Sequence, residues 1–401
     1  MAEPRPIVIA GAGIAGLAAA LAFARNGRSV RILERSPRLA EAGAGLQLSP
    51  NATRILDRLG VLPRLRPSAV QPEAIVLRAA SDLRPLAEVP LGQAAERRWK
   101  APYLVAHRAD LQQALLATVA EQPAIEIALG AAARDYRADA AGAIVSVDTA
   151  DGAMEIRAAL LVAADGVWSR LRQAHAKAAQ SRFTGHIAWR RTVTADSPEG
   201  AILADVGAAR VVTAFLHPKF HLVAYPVNGG ASFNLVAFTP GQAMAESWSE
   251  RGDASALKKA MRRTAPALAK LAEDGSAWTF WPIHTVETTG PWTAPGFALI
   301  GDAAHAMTPF AAQGAAMAIE DAETLAAAAG RSSDLASSLA AWEARRRPRV
   351  AAVRRRGAFN RFVWHASGPI GLVRNLFLQL RSSESLAADM DWLYGWDGDE
   401  V

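Results

Sequence analysis

Gly11, Gly13 and Gly16 form a Gly-x-Gly-x-x-Gly turn between the β-branched run Ile7-Val8-Ile9 and an alanine- and leucine-rich segment. Glu34 lies eighteen residues beyond the last glycine. The pattern suits a dinucleotide. The first glycine permits a tight turn, the second lets a pyrophosphate approach the backbone, and the third lets helix and strand pack closely. The helix start then offers amide hydrogens to the phosphates. An acid at Glu34 accepts from a ribose diol and would repel a 2′-phosphate. Two further strand ends deliver Asp and Gly into a crevice. One is Asp165-Gly166 after residues 160–164; the other is Gly301-Asp302 after residues 298–300, followed by His305 and Gln313-Gly314-Ala315. His221 and Tyr225 are a different kind of pair. Four apart on a strand, they face one side and can reach one pocket, where an imidazole of pKa ~6.5 suits proton transfer at neutral pH. The spacing alone leaves open that His221 sits on the outer face and Tyr225 in the core.

The elements that must position these residues follow from periodicity. Residues 7–9 read as strand, 14–26 as helix closed by Gly27, and 29–33 as strand again. Ser49-Pro50-Asn51 opens a helix through Leu59, residues 74–89 are short strands, and 111–120 are helical. Residues 125–162 are strand-like pieces broken by turns at Asp139, Asp151 and Gly152. Four β runs, 187–195, 211–216, 221–227 and 233–238, predict one antiparallel sheet that covers a substrate. Helices are expected over 255–271, 314–329 and 337–364, the last broken or kinked at Pro348. The expected organisation is a dinucleotide-binding domain over 1–180 with inserted strands at 74–106, a mainly β substrate domain over 181–285, a return segment over 286–330, and C-terminal helices over 331–401.

Composition narrows the chemistry. The chain has 401 residues, 51% hydrophobic and 20% charged, which is globular and excludes a disordered chain. It has no cysteine, so disulfides, thiolate zinc sites, iron–sulfur clusters and a cysteine nucleophile are excluded. No metal is expected. Lys+Arg 44 against Asp+Glu 38 leaves a net charge of +6. Much of the excess lies between Arg345 and Arg361, as a solvated helix face or an anion-steering patch; no stacking motif accompanies it, so nucleic acid is not expected as a partner. The apolar run 7–24 is interrupted by the three glycines and reads as strand, turn and helix rather than an integral membrane segment. A soluble, cytoplasmic protein is the expectation.

The three strand-end fingerprints, in this order and at these separations, give the chain its resemblance to a known family. It resembles the class A flavoprotein aromatic monooxygenases, the para-hydroxybenzoate hydroxylase-like family, and within it the salicylate, 3-hydroxybenzoate and 6-hydroxynicotinate hydroxylase branch. The likeness runs from Ile7 to Asp391-Trp392-Leu393-Tyr394-Gly395. It implies an α/β fold in which a Rossmann-like FAD-binding domain is interleaved with an antiparallel-sheet substrate domain and a C-terminal helical segment. It implies FAD as cofactor, NADH or NADPH as co-substrate, and O2 as the source of one oxygen atom. A small aromatic, a phenolic or hydroxypyridine carboxylic acid, would be hydroxylated through a flavin hydroperoxide, and a homodimer is the family expectation. A flavin dehydrogenase or oxidase, or a quinone-pathway hydroxylase on the same fold, is the alternative.

By the same resemblance, the cofactor-binding residues are Gly11, Gly13, Ile14, Ala15, Gly16, Glu34, Arg35, Gln47, Arg108, Leu129, Asp165, Gly166, Gly301, Asp302, Gly314 and Ala315, and the catalytic pair is His221, as base, with Tyr225. Arg170, Arg172 and the basic helix after Arg345 are candidate contacts for the reductant's pyrophosphate. Trp189 and Arg190 resemble the salicylate-type pattern, His305 is expected to be structural, and Trp281 and His284 are candidates to border the pocket. The chain departs from the family at two places. Gln47 stands where a hydroxypyridine-specific relative carries histidine, so a catalytic role is not carried over to it. Pro309 stands where the 3-hydroxybenzoate type has glutamine, which argues against that acid.

Overall fold

The run Ile7–Ala10 is buried on both faces, as a central parallel strand must be, and pairs in parallel with Val30–Glu34 on one side and Leu160–Ala163 on the other. Ile125–Leu129 and Phe297–Leu299 extend this sheet to either side, and Thr293–Ala294 adds an antiparallel edge. The helix Ile14–Arg25 covers one face and packs on the helix Gly314–Gly330, so a segment three hundred residues downstream closes the same layer. These are coordinates of a computed structural model that describes residues 5–39, 45–175, 180–242, 250–251, 254–273, 278–330 and 334–398.

The second sheet contains the four expected strands, observed as Ser181–Thr194, Val212–His217, Phe220–Val227 and Ser232–Pro240, all antiparallel to their neighbours within the set. It is larger than the sequence suggested. Thr279–Val286 adds to one edge, and Val212–His217 pairs in parallel with Ala74–Ala79, itself paired with Pro85–Pro90. The strands expected as an insertion beside the dinucleotide fold therefore pair with the substrate-side sheet, while Leu104–His107 pairs instead with Gly45–Leu48. Alternation sorts the strand Phe220–Val227 cleanly. Phe220, Leu222 and Ala224 join the outer core with Leu203, Leu257 and Leu268 from the covering helices, leaving His221, Val223 and Tyr225 on the opposite face.

The C-terminal region is helical, with Leu335–Trp364 a single 30-residue helix that continues through Pro348. The expected break is absent. Proline removes one amide donor, but buried Trp342 and Arg346 before it, and Val350 and Val353 after it, anchor the helix on both sides. The basic run on this helix is mostly neither a solvated face nor an anion patch. Arg346 is fully buried and donates to Glu320 Oε2 at 2.7 Å and Asp321 Oδ1 at 2.8 Å. Arg349 donates to Glu320 Oε1 at 2.8 Å, Arg354 to the Val286 carbonyl at 2.9 Å, and Arg347 to Glu343 and the carbonyls of Thr288 and Gly290. These guanidiniums are consumed by the fold. The helix Gly368–Leu380 then lies with Leu372, Val373, Leu376, Phe377 and Leu380 exposed.

Arg346→Met should destabilise the protein by about 3–5 kcal/mol, because it takes from two buried carboxylates the guanidinium they share, leaving Glu320 to Arg349 and Asp321 to His305. Denaturant unfolding monitored by tryptophan fluorescence checks this; an unchanged midpoint would contradict the buried pairing.

Candidate active site

A cavity of about 1130 Å³ lies between the two sheets. Small-molecule pockets run to roughly 1,000 Å³, so the space exceeds what one small ligand needs. One end is built by the strand ends of the parallel sheet. Gly11 has φ +106, and a Cβ there would come within 2.6 Å of the Ala164 carbonyl oxygen; a Cβ on Gly16 would lie 1.9 Å from the Gly11 oxygen. Both positions are closed to side chains by backbone. Gly13 differs, since a Cβ there would meet nothing within 4 Å and the residue borders the cavity. That is the opening through which a diphosphate can reach the amides at the start of the Ile14–Arg25 helix. Glu34 is held at its strand end by the Ala12 amide, which donates to Oε2 at 2.8 Å, and by the Ser36 amide, which donates to Oε1 at 2.9 Å. A carboxylate oxygen has a second lone pair, so both remain able to accept from ribose hydroxyls.

Asp165 accepts from the Arg170 amide at 2.9 Å through Oδ2, while its buried Oδ1 has no hydrogen-bonding partner. Burial pushes its pKa up. An orphaned acceptor at this point fits a hydroxyl-bearing ligand. Asp302, Gly314 and Ala315 border the same space, the last two at the N-terminus of the 17-residue Gly314–Gly330 helix. Open glycine, diol acceptor, orphaned carboxylate oxygen and helix start together suit FAD.

The other end is built by the second sheet. His221 is fully buried; its ring stacks on Phe238 at 4.6 Å and meets Phe310 and Trp364 edge-on. Its Nδ1 lies 3.0 Å from His365 Nε2, and its Nε2 has no partner. Burial drives its pKa well below the usual histidine value, with His365 and His186 reinforcing the shift. The ring is therefore neutral at pH 7. Burial raises the Tyr225 pKa despite the opposing Arg190, so its phenol stays protonated and can donate. Arg190 is itself depressed by burial, lies over the Trp281 ring at 5.2 Å, and leaves Nε unpartnered. Tyr103 donates to Gln47 Oε1 at 2.7 Å, which fixes the Gln47 amide at the cavity wall.

Most of the residues singled out from sequence meet here. Gly11, Gly13, Ile14, Ala15, Glu34, Arg35, Gln47, Arg108, Asp165, Gly166, Asp302, Gly314, Ala315, His221 and Tyr225 all border the cavity. Gly16 and Gly301 do not. Gly16 packs on Gly11, and Gly301, at φ +57, donates its amide to Asp321 Oδ2 at 2.9 Å. Leu129 is also outside the lining; it pairs with Glu34 at the sheet edge and is 45% exposed. Gln313 turns inward to Ser49 Oγ rather than toward the cavity. Arg172 is buried and donates to the carbonyls of Ala303 and Val167, so it ties two loops together and is not a pyrophosphate contact. Trp281 and His284 are outside the lining too: Trp281 lies under Arg190, and His284 packs on Trp168 at 4.4 Å. Trp189 faces the outer core.

Sequence reasoning missed Phe238, Phe310, Trp364 and His365. Phe238 and Val236 were accessible through the period-two pattern of their strand, since both line the cavity. Nothing local marks His365, which is 144 residues from the ring it touches.

Gly13→Val should fold, because its side chain enters open space, but should purify without flavin; yellow protein of normal stoichiometry would refute the diphosphate opening. The histidines give a second prediction. His365 is held at about 4, by burial and then by His186, Arg361, His217 and Arg374. Its folded pKa lies below the unfolded ~6.5, so the unfolded chain binds more protons and stability is lost as pH falls from about 6.5 toward 4. His365→Gln should show a shallower loss of Tm across that window than the parent; parallel curves would contradict the neutral buried pair.

Comparison with known proteins agrees with this geometry. The FAD binding domain family matches residues 5–357. The chain is 34% identical over 395 residues to 3-hydroxybenzoate 6-hydroxylase of Polaromonas naphthalenivorans strain CJ2, covering 98% of this chain and 96% of that protein. It is 34% identical over 406 residues to 3-amino-4-hydroxybenzoate 2-monooxygenase PtmB3 of Streptomyces platensis, covering 100% and 98%. The solved salicylate hydroxylase substrate complex shares the fold, with a TM-score of 0.82 at 24% identity over 100% of this chain and 97% of that one. A match of this extent leaves one assignment: the chain belongs to the FAD binding domain family and is an FAD-dependent monooxygenase.

Proposed function

We propose that the enzyme hydroxylates a small phenolic carboxylic acid, with NADH or NADPH as electron donor, and that His221 is the base that ionises the phenol. The observation that carries this reading is the His221 ring: buried, neutral, on the cavity face with Tyr225, and with Nε2 unpartnered. Bound FAD supplies the electron-transfer and oxygen-activating chemistry. The chain's own residues do the rest. His221 takes the phenol proton, which leaves a more electron-rich ring. Protonated Tyr225 donates to the ring oxygen and orients it. Half-buried Arg190 supplies positive charge for the carboxylate. Val223, Val236, Phe238 and Phe310 form an apolar wall that excludes water from the reacting centre. The acids named for the two curated relatives, both hydroxybenzoates, support the substrate class. Cytoplasmic operation and a homodimer belong to the same reading, on the likeness to the family rather than on any contact in the monomer.

The test is NAD(P)H consumption by the flavin-loaded protein in air across a panel of phenolic and hydroxypyridine acids, with product mass and peroxide followed together. The expected result is one acid that accelerates consumption and gains one oxygen atom. Acceleration with peroxide alone, or no response to any aromatic, would overturn the reading. His221→Phe should retain FAD, lose about 10²–10⁴-fold in hydroxylation at neutral pH, and recover as pH rises toward the phenol's own pKa of ~10. An unchanged pH profile would remove His221 as base.

A further inference from the structure

A buried base that accepts a proton must also shed it, and the surroundings of His221 are apolar on three sides: Phe238, Phe310 and Trp364. The fourth contact is His365, whose Nε2 lies 3.0 Å from His221 Nδ1. His365 caps the helix Leu335–Trp364 and is half-buried; away from His221 it lines a surface pocket of about 290 Å³ with Arg361, Phe362, Ser367 and Ile370. At roughly 30 Å³ per water, that pocket holds several solvent molecules. The two imidazoles thus join a buried, unpartnered nitrogen, on a ring that borders the cavity, to the surface pocket.

We propose that His365 is a positioning residue that relays the substrate's proton from His221 to solvent through this pocket, an inference that rests on His221 being the base. The resting tautomers are Nδ1–H on both rings. The phenol O–H breaks as N–H forms at His221 Nε2. His221 Nδ1–H breaks as N–H forms at His365 Nε2, and His365 Nδ1–H passes to water. Reprotonation of the product oxygen by the reverse route restores both tautomers. No net charge stays on either ring. The groups that face His365 are His221, His186, His217, Arg361 and Arg374, and those that face His221 are His365 and His186. Each is cationic or becomes so on protonation, so neither ring stores a proton and both pass it on.

The experiment uses the flavin-loaded enzyme mixed rapidly with 3-hydroxybenzoate, or the panel acid with the fastest hydroxylation, in weak buffer containing a pH indicator. Proton release and turnover are followed together. His365→Gln keeps a hydrogen-bonding partner for Nδ1 but carries no proton, and His365→Ala opens the surface pocket to added imidazole. Both variants should slow proton release and turnover about tenfold or more, with FAD content and KM unchanged. Imidazole should restore the alanine variant and leave the glutamine variant slow. If both variants match the parent while His221→Phe shifts the pH profile, the relay is overturned and the base stands. If His221→Phe also leaves the profile unchanged, the base reading fails and takes the relay with it. Loss of rate that imidazole does not restore would make His365 structural only and would overturn the relay.

Discussion

Two adjacent buried carboxylates, Glu320 and Asp321 on the Gly314–Gly330 helix, hold the catalytic half of the molecule together. Arg346 bridges both, Arg349 and Asn51 reach Glu320, and His305 Nε2 lies 2.6 Å from Asp321 Oδ2. Asp321 also accepts the Gly301 amide. Charges this deep persist only when paired and hydrogen-bonded on every side, and here each carboxylate oxygen has a partner. The consequence is geometric. One network fixes the start of the Gly314–Gly330 helix, the Gly301-Asp302 turn and, through Asn51 and Gln313, the Ser49 loop, and Asp302, Gly314 and Ala315 reach the cavity from elements it locks.

The second sheet works on a different principle. Its cavity face is apolar, so every polar group on it is conspicuous electrostatically. Burial keeps His221 neutral, reinforced by His365 and His186, and keeps Tyr225 protonated against the opposing Arg190, which separates an acceptor from a donor on one strand. Arg190 beside Tyr225 is the exception, a half-buried cation over an indole ring. The C-terminal helix completes this wall, since Trp364 and His365 both pack on the His221 ring. A segment that reads as a basic appendage is therefore part of the site.

What the sequence by itself determined was local. The glycine turn, its flanking strand and helix, and Glu34 at the end of the next strand lie within thirty residues, where backbone sterics and period dictate structure before any tertiary contact forms. The shared face of His221 and Tyr225 followed from the two-residue repeat of a strand in the same way. The tertiary structure decided which long-range partners met. Pairing of Ala74–Ala79 with Val212–His217, and of His221 with His365, depends on loop closures over more than a hundred residues, which no local preference encodes. Burial decided the fate of the arginines as well. Arg172, Arg346 and Arg349 read as available cations, but a guanidinium is consumed wherever folding brings carbonyls or carboxylates to all its donors, and only the packed chain fixes which those are.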